Sequence, residues 1–283
     1  MSRLLNAEFH RLIKYKPYWI ECIAVVLYGI YATLLNDFGY TPSIDSFLYR
    51  ALPYIGIISG AVVSQFIGED YTCGTIRNKL INGHTRKTYY LSELIVNFLA
   101  NVTVFNFYVI TTILAGSLRK WEFEFKTKVL FNCYIACIFT IFLITAMSVF
   151  LIILIRYKVA GLITIVSLSI FLLIMGNDSY NKLREPEYLL PNEYEIEEKG
   201  ITEPIQNVLY YGGTMRKVYE LIIFSDPYGQ AVYDTELMYD KYIEFDQSKV
   251  ATYPYIKIII FSILESTASI VIGIYLFNRK DIR

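Results

Sequence analysis

Two carboxylic acids stand inside apolar runs. Glu21 interrupts YWIECIAVVLYGIYATLLN (about 18–36), and Glu265 interrupts YIKIIIFSILESTASIVIGIYLF (about 255–277). An ionisable group inside a membrane span is costly, so it faces protein or a wet cavity. Glu21 lies a few residues into its run, within reach of the interface. Glu265 lies near mid-span and has two roles open to it. It can line a substrate path and favour a cationic or amphipathic cargo. It can equally make a structural hydrogen bond to Ser266, Thr267 or a neighbouring helix. The remaining reactive residues are less concentrated. His10 and His84 fall in separate segments, neither beside a paired nucleophile or a metal set. Cys133 and Cys137 are one helical turn apart; without nearby histidines, small-residue packing is the better reading than a metal pair. The acids of EYEIEEKG (193–200) lie outside any apolar run and read as a solvated face. YYGGTMRK (210–217) has glycines and bases but not the G-x-x-x-x-G-K-[ST] spacing that cradles phosphate. No catalytic set, metal site or cofactor site is therefore expected, and the chain is not expected to hydrolyse ATP.

The elements that must position these residues follow from composition. Of 283 residues, 55% are hydrophobic and only 18% charged, against about a quarter charged in soluble domains. The apolar residues cluster in runs near 20 long, which indicates a polytopic membrane protein rather than one soluble core. Net charge is zero, so nucleic acid is not an expected partner. Six spans are expected, at about 18–36, 51–68, 91–117, 129–155, 159–176 and 255–277. Only Arg156, Tyr157 and Lys158 separate the fourth from the fifth, giving a tight helical hairpin.

The first residues do not have the form of a cleavable signal. SRLLNAEFHRLIKYKPYW places Leu4, Leu5, Phe9, Leu12 and Ile13 on one helical face, flanked by Arg3, Arg11, Lys14 and Lys16. This predicts an amphipathic helix in the membrane surface, with Pro17 starting the next helix. Bases in short segments set orientation. They gather in the N-terminal helix, in the segment after the second span, at Arg156 and Lys158, and at Arg279, Lys280 and Arg283. With six spans these share one side, so both termini are expected in the cytoplasm; the loop at 118–128 is a mild exception. Residues 177–254 then lie outside. Two pieces look helical: TMRKVYELIIF, with Thr214 as N-cap and Met215, Val218, Tyr219 and Ile222 on one face, and TELMYDKYIEF (235–245). Pro186, Pro191, Pro204 and Pro227 mark turns. The insertion reads either as a partly helical extracellular cap or as a mobile acidic linker. The chain thus divides into 1–176, the 177–254 insertion, and 255–283, in an all-α fold of a surface helix and six transmembrane helices.

Between the second and third spans runs IGEDYTCGTIRNKLINGHTRKTYYLSE. Glu69 and Asp70 suit a helix N-terminus. Ile76 and Leu80 share a face, with Arg77 and Lys79 away from it, and Gly83 can end the helix in a left-handed conformation. A short surface helix with a mixed-charge face is expected. A solvated loop explains the composition equally well. The stretch resembles the coupling segment of permease subunits of type-2 ATP-binding-cassette exporters, similar to bacitracin-resistance, lantibiotic-immunity and peptide-export permeases. The matching positions are Glu69, Asp70, Gly74, Thr75, Arg77, Asn78, Gly83, Thr85, Arg86 and Tyr90; Ser92-Glu93 departs from the family's frequent Ser-Lys. The ending GIYLFNRKDIR, with Gly273, Phe277, Lys280 and Asp281, is also similar, and the likeness covers the surface helix and six-span layout but not 177–254.

The resemblance implies that 69–86, including Leu80, docks on an ATPase subunit and transmits its closure to the spans. It implies two ATPase subunits that bind ATP and Mg, a second permease copy or homologue, and a bacterial plasma membrane. The cargo expected is an amphipathic peptide, an antimicrobial or a lipid-like molecule, with Glu21 and Glu265 as candidate path residues. A membrane-bound sensor or immunity protein that binds peptide through 177–254 without moving it is the alternative.

Overall fold

The structure is a computed structural model, describing residues 1–35, 42–189, 204–240 and 254–279. The acidic run 193–200, Pro191, residues 241–245, Lys280, Asp281 and Arg283 lie outside the described residues. Six helices are long and apolar enough to cross a membrane, so the chain is a multi-pass helical membrane protein. A short surface helix, α1 (Ser2–Ile13), precedes them. The spans are α2 (Lys16–Ile30, continued by a π-turn to Leu35), α4 (Leu52–Thr72) preceded by the single turn α3 (Asp45–Leu48), α6 (Arg86–Leu118), α7 (Thr127–Ile155), α8 (Lys158–Arg184) and α11 (Tyr255–Arg279). The end of the bundle bearing α1 is the near end, and the opposite one the far end. At the near end α5 (Thr75–Ile81) joins α4 to α6. At the far end the two-residue strands β1 (Tyr188–Leu189) and β2 (Ile205–Gln206) pair antiparallel.

The fifth span is longer than its apolar run, reaching Arg184 rather than ending near 176. Its last turns carry Asn177, Asp178, Asn181 and Lys182, and Lys182 Nζ bonds Asp178 Oδ2 at 2.7 Å along the helix. Polar residues at this i,i+4 spacing lengthen a helix beyond its membrane portion. α7 and α8 do meet at a tight turn, with Arg156 left-handed at φ 65°. They part from there: α7 packs chiefly on α11, and α8 on α4.

The wedge between α7 and α8 is filled by a second hairpin, α9 (Gly213–Ser225) and α10 (Pro227–Asp240). Here the structure corrects several expectations. α9 is capped at Gly212, not Thr214, and its buried residues are Ile223 and Phe224, while Met215 and Val218 are exposed. α10 begins at Pro227, eight residues before the helix expected from 235. Pro227 opens that helix, at the position where its missing N–H costs nothing. The hairpin does not rest on the end of the bundle. Tyr228, Ala231, Val232 and Thr235 are buried among the spans. Tyr228 OH donates to Ser169 Oγ at 2.7 Å. Ser169 stands eleven residues from Lys158 and fifteen from Arg184, about 17 and 22 Å along the axis at 1.5 Å per residue. The hairpin tip therefore sits close to mid-span.

Two glycines permit this insertion. A Cβ on Gly176 of α8 would come within 2.5 Å of the Gly229 Cα, so these backbones touch. A Cβ on Gly56 of α4 would meet the Tyr228 ring at 3.1 Å. Small residues at such crossings let helices approach closely where apolar lipid gives no drive to association.

Candidate functional site

Two buried polar centres stand out, one at the near end and one at mid-span. At the near end α4 runs on through Glu69 and Asp70 to Thr72. The acidic pair therefore closes the second span rather than opening the short helix. Acids are unfavourable at a helix C-terminus, and both are compensated by bases from other elements. Lys158 Nζ lies 2.9 Å from Glu69 Oε1. Asp70 is met by Arg11 and, at 2.6 Å, by Lys79 Nζ; it also accepts from Thr75 Oγ1 at 2.6 Å and Tyr89 OH at 2.9 Å.

Gly74, left-handed at φ 67°, turns the chain from α4 into α5. Ile76 is buried, while Arg77, Asn78 and Ile81 face outward. Lys79 does not join them, contrary to its expected place away from the packed face. Its ammonium lies 2.6 Å from Glu8 Oε1 and 3.6 Å from Glu93 Oε1 as well as on Asp70. Helix α5 ends at Gly83 (φ 87°), where the His84 N–H reaches Lys79 O and the Gly83 N–H reaches Leu80 O. That pair of hydrogen bonds is the Schellman closure, and it needs a left-handed residue. Thr85 then caps α6 by accepting the Thr88 N–H at 3.1 Å. Arg86 donates from Nη1 to the Phe277 and Asn278 carbonyls, satisfying the C-terminal end of α11. Tyr90 packs against Gly273, and Tyr89 against Phe277 at 6.0 Å between rings.

The amphipathic face of α1 also differs from its expected composition. Leu4 and Leu12 are buried, but so is Glu8, and Ile13 is 58% exposed. Arg11 turns inward over the Phe66 ring at 3.8 Å. Burial opposes its charge, but the carboxylates of Glu93, Asp70 and Glu8 outweigh that and push its pKa up. Carboxylate oxygens of Glu8, Asp70 and Glu93 all lie within 4.8 Å of one another, a spacing that would suit a metal ion. The ammonium of Lys79 already supplies a cation to the three. Formally, three acids meet two bases, so the cluster carries one negative charge in excess. Glu93 is fully buried, and neither of its oxygens has a hydrogen-bond partner.

At mid-span the hairpin brings together residues that the sequence reading did not single out. Gln230 donates to Phe224 O at 2.6 Å and accepts from Thr140 Oγ1 of α7 at 3.1 Å and Ser262 Oγ of α11 at 2.8 Å. Asp226 caps α10, accepting the Tyr228 N–H on Oδ1 at 2.9 Å. Its Oδ2 is buried without a partner. Cys137 Sγ lies 3.7 Å from Asp234 Oδ2, so this thiol of the Cys133–Cys137 pair packs against the hairpin.

Of the two candidate path residues, Glu21 is buried and accepts from Ser59 Oγ of α4 at 2.5 Å. It does not reach the interface. Glu265 is half-buried on α11. The hydroxyl of Ser266 turns back to Ser262 O instead. The two candidates belong to different parts of the bundle. A cavity of about 470 Å3 also opens beside the hairpin, lined by Arg50, Tyr54, Asn177, Asn181 and Thr235 among others.

These features define a polytopic helical membrane protein with an ion-locked surface helix pair at one end and a hairpin inserted to mid-span from the other. The chain matches no family model, no curated protein and no solved structure.

Proposed function

We propose that the chain is the membrane-spanning subunit of an ATP-driven exporter of the type-2 ATP-binding-cassette class, with its near end in the cytoplasm. Separate ATPase subunits power it, and a second copy or homologue of the chain completes it. The observation that supports this reading most is the mounting of α5. A seven-residue helix has no stability of its own in water, yet this one is held by Gly74, Gly83 and the Lys79 cluster to three elements at once. Its outward side shows Arg77, Asn78 and Ile81, two polar groups beside an apolar one. A surface helix fixed so firmly and left exposed on one side is built to receive force. Displacement of α5 pulls on Asp70 at the end of α4 and on Glu93 in α6, and through α6 on Arg86 and Tyr90 against α11. The cargo is an amphipathic peptide, antimicrobial or lipid-like molecule.

The test is co-expression with the ATP-binding-cassette ATPase subunits encoded in the same genome, followed by purification in detergent and in nanodiscs. The expected result is a stable complex whose ATPase activity changes on association. Arg77→Glu should abolish assembly without loosening the Lys79 cluster. Absence of any ATPase complex with α5 intact would overturn the proposal and favour a protein that binds peptide without transporting it.

A further inference from the structure

The cavity beside the hairpin holds about 470 Å3, within the roughly 300–1,000 Å3 of small-molecule sites. Three elements wall it, and each turns from apolar to polar toward the far end. On α8, Ile174 gives way to Asn177 and Asn181. These stand five, eight and twelve residues beyond Ser169, or about 7, 12 and 18 Å at 1.5 Å per residue. On α10, Val232 gives way to Glu236. Glu236 is eight residues beyond Tyr228, whose hydroxyl meets Ser169, so it rises to about the height of Asn177. At α4, Tyr54 stands in the first turn, and Arg50 lies two residues before the helix begins. Half of a hydrocarbon core is about 15 Å, and each headgroup region adds about 5–8 Å. The apolar part of the cavity therefore lies in hydrocarbon and its polar part at headgroup level. Its open side faces lipid, since Tyr54 is 54% exposed and Ile174 64% exposed.

We propose that this cavity is a headgroup site for a zwitterionic phospholipid, with the phosphate toward Arg50 and a primary ammonium toward Glu236. The polar wall carries both signs of charge. Arg50 offers the planar fork that matches a phosphate. Of the two acids lining the cavity, Asp178 is engaged by Lys182 at 2.7 Å on its own helix, and Glu236 supplies a carboxylate from another wall. Asn177 and Asn181, one helical turn apart, each add donors and an acceptor. A head of one sign is attracted by Arg50 or by Glu236 and repelled by the other. A head with both a phosphate and an ammonium is attracted by both. Primary N–H groups also suit carboxylate and carboxamide oxygens, which a quaternary ammonium cannot donate to. A lipid brings such a head in sideways and leaves its acyl chains in the bilayer against Tyr54 and Ile174. Lipid binding here needs no ATPase, so it stands or falls apart from the export reading.

The test uses the full chain in a neutral detergent, with phosphatidylethanolamine, phosphatidylcholine and phosphatidylglycerol of matched acyl chains. Native mass spectrometry measures how much of each lipid the chain retains across a titration. Phosphatidylethanolamine should bind about tenfold tighter than the other two, the effect of one charge-assisted contact. Glu236→Gln should erase its preference over phosphatidylcholine, and Arg50→Gln should weaken all three lipids about tenfold. Melting temperature and gel filtration report whether each variant folds. Arg50 also lies over the Phe47 ring at 5.3 Å, so Asn181→Ala, at an exposed position, gives a second reading, a loss of about fivefold. Glu122→Gln, an exposed carboxylate at the far end outside the cavity, should leave affinity within about twofold. Binding of either other lipid as tightly as phosphatidylethanolamine, or unchanged affinity in folded Glu236→Gln and Asn181→Ala, would overturn the site. So would displacement of the lipid by an equal concentration of soluble glycerophosphoethanolamine, which would make the cavity a site for a water-soluble phosphoester.

Discussion

Replacing Lys79 by methionine tests whether α5 is locked or merely resting at the near end. Lys79 is 17% exposed, and its ammonium lies 2.6 Å from two carboxylates and 3.6 Å from a third. Methionine keeps the length and apolar body of the side chain, so packing of the stem survives and the charge is what is removed. The cluster then holds Glu8, Asp70 and Glu93 against Arg11 alone, two negative charges in excess instead of one. Breaking a buried ion pair from one side costs about 3–5 kcal/mol, because the partners are left uncompensated. Arg11 persists in this cluster, so the lower end applies, about 3 kcal/mol. That is about two orders of magnitude in the equilibrium for α5 leaving its seat.

Hydrogen exchange read by mass spectrometry reports this equilibrium directly, since local opening sets local protection. In nanodiscs, amides of residues 76–84 should lose about a hundredfold in protection, and those of α7 and α11 should not change. Charge arithmetic supplies a second arm. Glu93→Gln in the Lys79→Met background returns the cluster to one excess negative charge, and protection should largely recover. Glu93→Gln alone makes the cluster formally neutral and should leave α5 as protected as before, or more so. Protection of 76–84 within threefold of the parent in Lys79→Met would refute the lock. Failure of the double variant to recover any protection would refute the electrostatic account of it.

The hairpin yields two further predictions. Gly176→Ala sets a Cβ against the Gly229 backbone at 2.5 Å, where no side chain can move aside, and should cost about 2 kcal/mol or more in a denaturant titration. Gly161→Ala on the same helix is the contrast, because its obstruction is the flexible end of Ile152, so it should cost less than half as much. Equal costs would mean that the close crossing of α8 and α10 is not a constraint. Gln230→Leu removes the acceptor shared by Thr140 and Ser262. Both hydroxyls can turn to carbonyls of their own helices, so the loss should be about 1 kcal/mol, measured the same way.

The spans were legible because one property decides them. Each is an apolar run of sufficient length, and the observed helices begin and end within a few residues of those runs, except where α8 continues through polar turns to Arg184. The π-turn after α2 and the extension of α4 through Glu69 and Asp70 were not legible. Local preference argued against acids at a helix C-terminus. It lost to Arg11, Lys79 and Lys158, which arrive from elements 59, 9 and 89 residues away. Glu8, Arg11 and Glu93 were passed over for the same reason. Arg11 is placed only as a flank of the apolar face and Glu93 only as a departure from a motif, because a polar residue turned inward looks, in one dimension, like a break in the apolar pattern. One signal was present: Glu93 is a third acid at the edge of an apolar run, as visible as Glu21 and Glu265.

The hairpin was illegible for a deeper reason. Amphipathic periodicity assumes that the polar side of a helix faces water and the apolar side faces protein. α9 and α10 depart from this, because their surroundings are spans: polar side chains are buried beside apolar ones, and apolar ones are also exposed. Met215, Val218 and Leu221 are exposed, while Asp226, Gln230, Asp234 and Thr235 are buried. In a bundle surrounded by lipid, the interior is where a polar side chain finds hydrogen-bond partners and the exterior is where an apolar one loses nothing. Read with the ordinary rule, 213–240 gives a water-facing cap. Read with the inverted rule, the same residues give an inserted hairpin, with Asp226-Pro227 as its turn and Gln230 as its tie to α7 and α11. The choice between the two rules depends on whether the segment is surrounded by water or by helices. That is a property of the assembled bundle, set here by the parting of α7 from α8, and no window of local sequence contains it.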